Sequence, residues 1–210
     1  MFKNEKTVIR KTYFTIRNFK RLSYHHYGNS PLSMIRMVYV SVFRVNTFIL
    51  LEHQLDNRLD TIDLSSKFTV TRPSIEDLEK IRRLRELPRE FYYDKFHGIN
   101  KCYVVMHGAE PAYIHWVYVK GDINRFLKLG DDVAEVNYIT TLPAFRGEKL
   151  MTNMMIYTMN DLEKNGYRKL VSVVHTLNPA ALKSMLAAGF KEVRKIRTFG
   201  YLNRKYTVNA

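Results

Sequence analysis

The spacing of apolar residues changes along the chain, and each change marks a predicted element. Before Pro143 the strand-like runs have a period of about two residues, as in Phe68-Thr-Val-Thr-Arg, which is typical of half-buried strands. After Pro143 the period lengthens to about 3.6 residues, which predicts an amphipathic helix that ends at Gly166. The predicted strands cover residues 47–52, 68–72, 101–107, 112–120, 133–142, 170–174, 190–196 and 199–208, and the predicted helices 11–27, 33–43, 75–86, 150–166 and 179–188.

Turn and cap residues define how these elements connect. Ser74, with Asp77 three residues later, matches a variant of the capping box, so a helix should begin after Ser74. Residues 108–111 separate two strand-like runs, which predicts an antiparallel hairpin with a four-residue connection. The long helix joins the strands at 133–142 and 170–174, and such a crossover favours a parallel pair. The sequence therefore predicts a mixed α/β fold with a parallel pair in its middle.

Charge is distributed unevenly along the chain of 210 residues. Lys and Arg number 34 against 20 acidic residues, a net charge of +14, so the long-range field favours anionic partners. The first 44 residues contain nine of the basic residues and one acid, Glu5. The aromatic side chains of the predicted helix at 11–27 either pack on the main domain or lie on an anionic surface. We predict a basic N-terminal extension over residues 1–66, with helical segments and a short strand, and a domain over residues 67–210.

The cysteine count and the apolar runs limit the compartment and the metal chemistry. Cys102 is the only cysteine, which excludes an internal disulfide and a multi-cysteine metal site, and its apolar neighbours predict a buried thiol. His25 and His26 lack a third ligand nearby, so no metal site is predicted. Arg44 interrupts the apolar run at 37–51, and no secretory signal is evident. We expect a cytoplasmic protein, with the inner face of a membrane as a peripheral location.

The stretch from residue 133 to residue 151 favours anion binding. A strand that ends at Pro143 is followed by Arg146 and Gly147 at the start of a helix. Such a helix start directs several backbone N–H groups and the positive end of the helix dipole to one place. A pyrophosphate fits this arrangement, and Arg146 and Lys149 would add charge-assisted contacts.

Three landmarks resemble the GNAT superfamily of CoA-dependent N-acyltransferases. They are the strand with Pro143-Ala-Phe-Arg146-Gly147, the helix that follows it, and Asn178-Pro-Ala-Ala181 leading to Gly189-Phe190. The order of elements from residue 68 to residue 208 is also similar. The resemblance implies a GNAT-like mixed, mostly antiparallel sheet with a central parallel strand pair flanked by helices. It also implies acetyl-CoA or another acyl-CoA as the acyl donor.

The resemblance implies a set of donor-binding residues. The family loop reads Gln/Arg-x-x-Gly-x-Gly/Ala, and here Lys149 and Met151 stand at its two glycine positions. In the family, the strand before this loop separates from its neighbour and holds the pantetheine and the thioester carbonyl with its backbone. Asn178 either touches the cofactor or caps a helix. The implied CoA-binding residues are Ile139, Thr140, Thr141, Arg146, Gly147, Glu148, Lys149, Leu150, Met151 and Asn178.

Glu135 is the candidate catalytic base. It lies eleven positions before Arg146, where histone-acetylating members of the family carry a catalytic glutamate, and an amine must lose a proton before it attacks. The alternative is a solvated or ion-paired strand residue. The tyrosine that often protonates the leaving thiolate in the family is replaced by Met185, which leaves Tyr138, Tyr157 or solvent as the proton donor.

The sequence supports two hypotheses of function. The first is an N-acyltransferase that moves an acetyl or longer acyl group to a primary amine of a small molecule or sugar by direct attack. The second is a catalytically impaired GNAT-fold binding module that uses its basic face for an anionic membrane, an acyl carrier protein or nucleic acid. Nucleic acid is disfavoured, because the sequence lacks a zinc finger, a helix-turn-helix signature and the aromatic RNP pattern. The resemblance places the acceptor pocket among the first helices, the loop at 87–100 and the last strands.

Overall fold

A computed structural model describes residues 32, 35, 39, 45–56, 64–122, 126–199 and 208–209 of the chain. The predicted helix at 11–27 lies outside these residues, and so does most of the second predicted helix, of which Ile35 and Tyr39 are described and helical. The chain divides into two compact units, and the site described below belongs to the unit formed by residues 47–197 and 205–210.

The described residues form a mixed α/β structure. Single 3₁₀ turns at Arg89–Tyr92 and Pro143–Phe145 supplement the regular elements. The strands are β1 (Val45–Gln54), β2 (Phe68–Thr71), β3 (Cys102–His107), β4 (Glu110–Tyr118), β5 (Leu127–Lys128), β6 (Val133–Thr141), β7 (Lys169–His175), β8 (Lys191–Phe199) and β9 (Val208–Asn209). The helices are α1 (Ile75–Leu84), α2 (Tyr93–His97), α3 (Leu150–Lys164) and α4 (Pro179–Ala187).

Seven strands form one sheet in the order β2-β3-β4-β6-β7-β1-β8. The pairs β2–β3, β3–β4, β4–β6 and β7–β1 are antiparallel, and β6 pairs with β7 in parallel. A separate two-stranded sheet joins β5 to β9. The predicted fold class, with a parallel pair in the middle of a mostly antiparallel sheet, is confirmed.

Strand β1 comes from the segment that the sequence assigned to the N-terminal extension. It was predicted as a strand at 47–52, and the structure places it between β7 and β8, with Phe48 opposite His175 and Gln54 opposite Lys169. The boundary near residue 66 stays a prediction, although one strand of the sheet precedes it.

Two layers of apolar side chains cover the two faces of the sheet. On one face lies α3, whose buried positions recur at helical spacing and whose methionines pack in the core as predicted. On the other face α1, α2 and the turn before α2 pack over Ile114, Trp116 and Tyr118 of β4. Cys102 is buried as expected, and burial raises the pKa of its thiol to about 12. None of the described helices has both the length and the apolar character that a bilayer crossing requires.

Three local predictions were wrong. The β3–β4 hairpin turns through Gly108 and Ala109 alone, because His107 already pairs with Glu110. The last predicted break, after residue 196, does not occur, since β8 continues to Phe199. Residues 87–100, predicted as a loop, contain the 3₁₀ turn and α2, which ends at Gly98 with φ of 69°.

Candidate active site

Strands β6 and β7 run side by side for only three residue pairs before they separate. The last pair is Glu135 with Val171, although β6 continues to Thr141 and β7 to His175. Where the ladder ends, the buried Ser172 hydroxyl donates a hydrogen bond to the carbonyl oxygen of Val136 at 2.9 Å. Beyond this point the two strands do not pair with each other, so a slot lined by backbone amides opens toward the carboxyl ends of both strands.

A bulge lies at the start of this slot. Ile114 pairs with Thr140 and Trp116 with Asn137, so two residues of β6 oppose the single residue His115 of β4. One of the two, Tyr138, adopts a left-handed conformation with φ of 52°. The extra residue in β6 interrupts the alternation of its side chains. Residues after the bulge therefore do not face the sides of the sheet that strict alternation from Glu135 would give.

The loop after β6 leaves several backbone N–H groups free at the same edge of the sheet. Gly147 and Lys149 both have positive φ, 89° and 54°, before α3 begins at Leu150. The hydrogen bond from Asn153 N to Lys149 O is the first of the helix, so the N–H groups of the first turn have no acceptor within it. Lys149 provides no side-chain cap.

The side chains of this loop add positive charge to the free N–H groups. Arg146 and Lys149 are exposed, while the carboxylate of Glu148 is bound by Lys67 at 2.8 Å. A Cβ atom at Gly147 would meet nothing within 4 Å, so its glycine is required by the backbone conformation and the surrounding space is open. Met151 is partly buried against the core. These groups fit a diphosphate.

Asn178 lies at the same edge, directly after β7. Its side-chain oxygen accepts a hydrogen bond from Ala181 N at 3.2 Å, so it caps α4. This agrees with the helix-cap alternative for Asn178. Met185 is fully buried in the core, where it can neither reach a ligand nor donate a proton.

Glu135 is buried on β6, with 1 % of its surface exposed. Its Oε1 accepts a hydrogen bond from Asn137 Nδ2 at 3.1 Å, and Oε2 has no partner in the described part of the chain. Burial raises the pKa of this carboxyl to about 8, against the weaker opposing effect of the Asn137 bond. The alternative of a solvated residue is therefore wrong, and no described residue forms an ion pair with Glu135.

A row of aromatic side chains extends from Glu135. Tyr118 is the cross-strand partner of Glu135, and its buried hydroxyl has no hydrogen-bond partner among the described residues. Its ring lies 6.0 Å from that of Tyr138, which stacks on Tyr93 of α2 at 3.6 Å. The second candidate proton donor, Tyr157, instead contacts Tyr103 on the face covered by α3.

The structure thus brings most of the predicted site residues to one edge of the sheet. Ile139, Thr140 and Thr141 line the slot, residues 146–151 follow it, and Asn178 lies after the neighbouring strand. Glu135 lies where the slot begins. Sequence reasoning missed Tyr118 and Tyr93, because only the register of β4 on β6 and the stacking of α2 bring them to Glu135.

A cavity of about 390 Å³ lies away from this edge. Tyr103, Val117 and Leu162 form part of its wall, together with Arg72 and Asp161. Asp161 and Leu162 belong to the carboxyl end of α3, whereas the loop lies at the amino end of that helix, about 20 Å away. The cavity is therefore separate from the slot between β6 and β7.

No protein-family model matches the sequence, and no curated protein matches it. Several solved structures match this chain in fold. A glucosamine N-acetyltransferase region of a fungal multi-domain β-N-acetylglucosaminidase is 13 % identical, with a TM-score of 0.57 over 80 % of this chain and 23 % of that one. A GCN5-related N-acetyltransferase from Sphaerobacter thermophilus is 11 % identical, with a TM-score of 0.54 over 80 % and 55 %. A GNAT-family acetyltransferase from Colwellia psychrerythraea is 15 % identical, with a TM-score of 0.53 over 75 % and 56 %. The chain spans less than two thirds of the length of each.

Proposed function

We propose that this chain, which has the fold of the GNAT acetyltransferases, transfers an acetyl or longer acyl group from acyl-CoA to a primary amine of a small molecule or sugar. The observation that carries the proposal is the separation of β6 from β7 directly after Glu135, at the edge where the basic loop begins. This arrangement offers a slot for an extended acyl donor, an anion site beside it and a buried carboxyl at its start.

Donor binding would use the backbone more than the side chains. The free N–H groups before and within the first turn of α3, with Arg146 and Lys149, would hold the diphosphate. The backbone of Ile139, Thr140 and Thr141 would hold the amide-bearing arm of the donor in the slot. The bound thioester supplies an activated acyl group.

Glu135 would accept the proton of the incoming amine. An amine with a pKa near 10.4 is mostly protonated at pH 7, and a carboxyl whose pKa is raised to about 8 matches it far better than an ordinary glutamate. The proton would move from the ammonium nitrogen to Oε2, which has no other partner in the described structure. The nitrogen lone pair could then attack the acyl carbon. As the carbon–sulfur bond breaks, the nitrogen would release its second proton to solvent, and the departing thiolate would take a proton from Tyr138 or from solvent.

Thermal unfolding tests donor binding. Acetyl-CoA at about 100 times its dissociation constant should add about 2.7 kcal/mol of stability, a shift of roughly 5 to 10 °C for a chain of this size. Adenosine diphosphate should give a smaller shift. A shift that a polyanion reproduces, or no shift at all, would contradict an acyltransferase and favour the binding-module hypothesis.

The Glu135→Gln variant tests the role of the carboxyl. Turnover of an amine should fall about 10²- to 10⁴-fold while the thermal shift with acetyl-CoA is kept. In the unmodified protein kcat/KM should rise with pH up to about 8, because Glu135 acts only when deprotonated. Glu192→Gln, at an exposed position on β8, is the matched control. Unchanged turnover in Glu135→Gln would remove Glu135 from this role.

A further inference from the structure

Arg89 holds an exposed positive charge at the outer end of the aromatic row. Its guanidinium carbon lies 5.5 Å from the ring centre of Tyr93 and 4.9 Å from that of Phe96. Among the described residues Arg89 forms neither an ion pair nor a side-chain hydrogen bond. The two rings hold the guanidinium in place while its N–H groups stay available, which is a preorganised fork for a carboxylate or phosphate.

The aromatic row connects Arg89 to the buried carboxyl without interruption. Tyr93 contacts Arg89 on one side and stacks on Tyr138 on the other, and Tyr138 lies beside Tyr118, the cross-strand partner of Glu135. His97 packs against both Tyr93 and Tyr138. Burial, and then the charge of Arg89, lower the pKa of His97, so this histidine is neutral at pH 7 and adds no second cation.

The two ends of this row therefore have opposite charge preferences. Within the described part of the chain, the inner end presents a carboxyl oxygen without a hydrogen-bond donor, and the outer end presents a guanidinium without an acceptor. A molecule with an amine and an anionic group satisfies both ends. A polyamine would bring a second positive charge toward Arg89, which is unfavourable.

We propose that the acceptor is a primary amine that also carries a carboxylate or a phosphate, and that Arg89 binds this anionic group while the amine reaches Glu135. The inference rests on the proposed acyltransferase function and deepens it. Arg89 is then the residue that determines acceptor specificity. Carboxylate and phosphate share the same recognition chemistry, so the experiment has to separate them.

Two matched pairs of amines test the inference with acetyl-CoA as donor. The first pair is 4-aminobutanoate and its neutral amide, and the second is phosphoethanolamine and ethanolamine. In the unmodified protein the anionic member of at least one pair should have a kcat/KM at least about tenfold higher than its neutral partner. The pair that shows the preference identifies the anion.

Substitution of Arg89 should remove the preference. In Arg89→Gln the kcat/KM for the preferred anionic amine should fall about 10- to 100-fold, mainly through KM, with little change for the neutral amine. Arg89→Lys keeps the charge but lacks the planar guanidinium. Its kcat/KM for the preferred anionic amine should lie between that of the unmodified protein and that of Arg89→Gln. Arg168→Gln removes the same charge at an exposed position after α3 and should leave all values unchanged.

The outcomes separate this inference from the function on which it rests. Equal use of neutral and anionic amines by the unmodified protein, or an equal loss for both in Arg89→Gln, would overturn the inference and leave the acyltransferase in place. Failure to acetylate any of the four amines or a wider amine panel, without an acetyl-CoA thermal shift, would overturn both.

Discussion

Glu135 is a carboxyl group in surroundings that disfavour its charge. It is buried, it receives one hydrogen bond from Asn137, and Tyr118 opposite it presents another polar group without a partner in the described structure. Transfer of an ionised carboxylate to such a place is costly unless a cation accompanies it. A positively charged acceptor amine beside the Glu135 carboxyl would offset this cost.

The stability of the protein should report this cost. The pKa of Glu135 is raised from 4.5 to about 8 in the folded state, so the folded chain binds this proton more tightly than the unfolded chain. The stabilisation from this tighter proton binding is fully present below pH 4.5 and is lost as pH rises to about 8. The free energy of unfolding changes by up to about 5 kcal/mol over this range. Glu135→Gln lacks this titration, so its stability relative to the unmodified protein should increase over this window.

Urea unfolding of both proteins at several values between pH 4.5 and pH 8.5 measures the difference. Glu192→Gln, which changes an exposed carboxylate, should follow the unmodified protein at each pH. Parallel stability curves for Glu135→Gln and the unmodified protein would show that the Glu135 carboxyl titrates normally, and would contradict its burial.

Lys149 carries a different kind of strain. It is a non-glycine residue with φ of 54°, at a loop position where the family pattern has glycine. Lys149→Gly and Lys149→Ala remove the same charge, but only alanine keeps a Cβ atom in the left-handed conformation. We expect the glycine variant to be more stable than the alanine variant by about 1 kcal/mol, since the steric relief exceeds the entropic cost of glycine. Urea unfolding decides this, and an alanine variant of equal or greater stability would contradict it.

A side-chain hydrogen bond joins β6 to β7 at the point where the two strands separate. Ser172 is buried, and its hydroxyl occupies the carbonyl oxygen of Val136 where the backbone ladder stops. The side chain thus takes the place of a backbone hydrogen bond and joins the two strands where the slot begins.

Ser172→Ala should therefore destabilise the protein and weaken donor binding together. The free energy of unfolding should fall by about 1 to 3 kcal/mol, because a buried carbonyl loses its donor. The thermal shift with acetyl-CoA should decrease, since the hydrogen bond that fixes the spacing of the two strands at the start of the slot is lost. Ser66→Ala, in an exposed turn before β2, is the control. A destabilised variant that keeps the full acetyl-CoA shift would show that Ser172 stabilises the sheet without shaping the slot.

Elements whose signals are local were predicted well from the sequence. The helical stripe of α3 and the Ser74 cap of α1 are set by residues three or four apart, and both occur in the structure. The hairpin connection was predicted too long because a two-residue turn depends on strand pairing as well as on Gly108. Tyr118 could not be assigned to the site, since its relation to Glu135 is a matter of register between strands.

The arrangement of the sheet required information that no local pattern carries. The parallel pair β6–β7 followed from the strand-helix-strand order, but the insertion of β1 between β7 and β8 did not. The short apolar run of β1 predicts a strand and gives no indication of its neighbours. The candidate site was predicted through the resemblance of the loop and of the residues after β7, whereas the stacking of Tyr93 on Tyr138 and the contact of Arg89 with Tyr93 are visible only in the folded structure.

The position of β1 has a consequence for synthesis on the ribosome. Its apolar residues, Phe48 to Leu51, are synthesised more than 110 residues before their partners on β7. Until then this stretch has neither of the neighbours that cover it in the finished sheet. The nascent chain therefore exposes an apolar segment while β2 to β6 are translated. We expect a ribosome-associated chaperone to bind this segment.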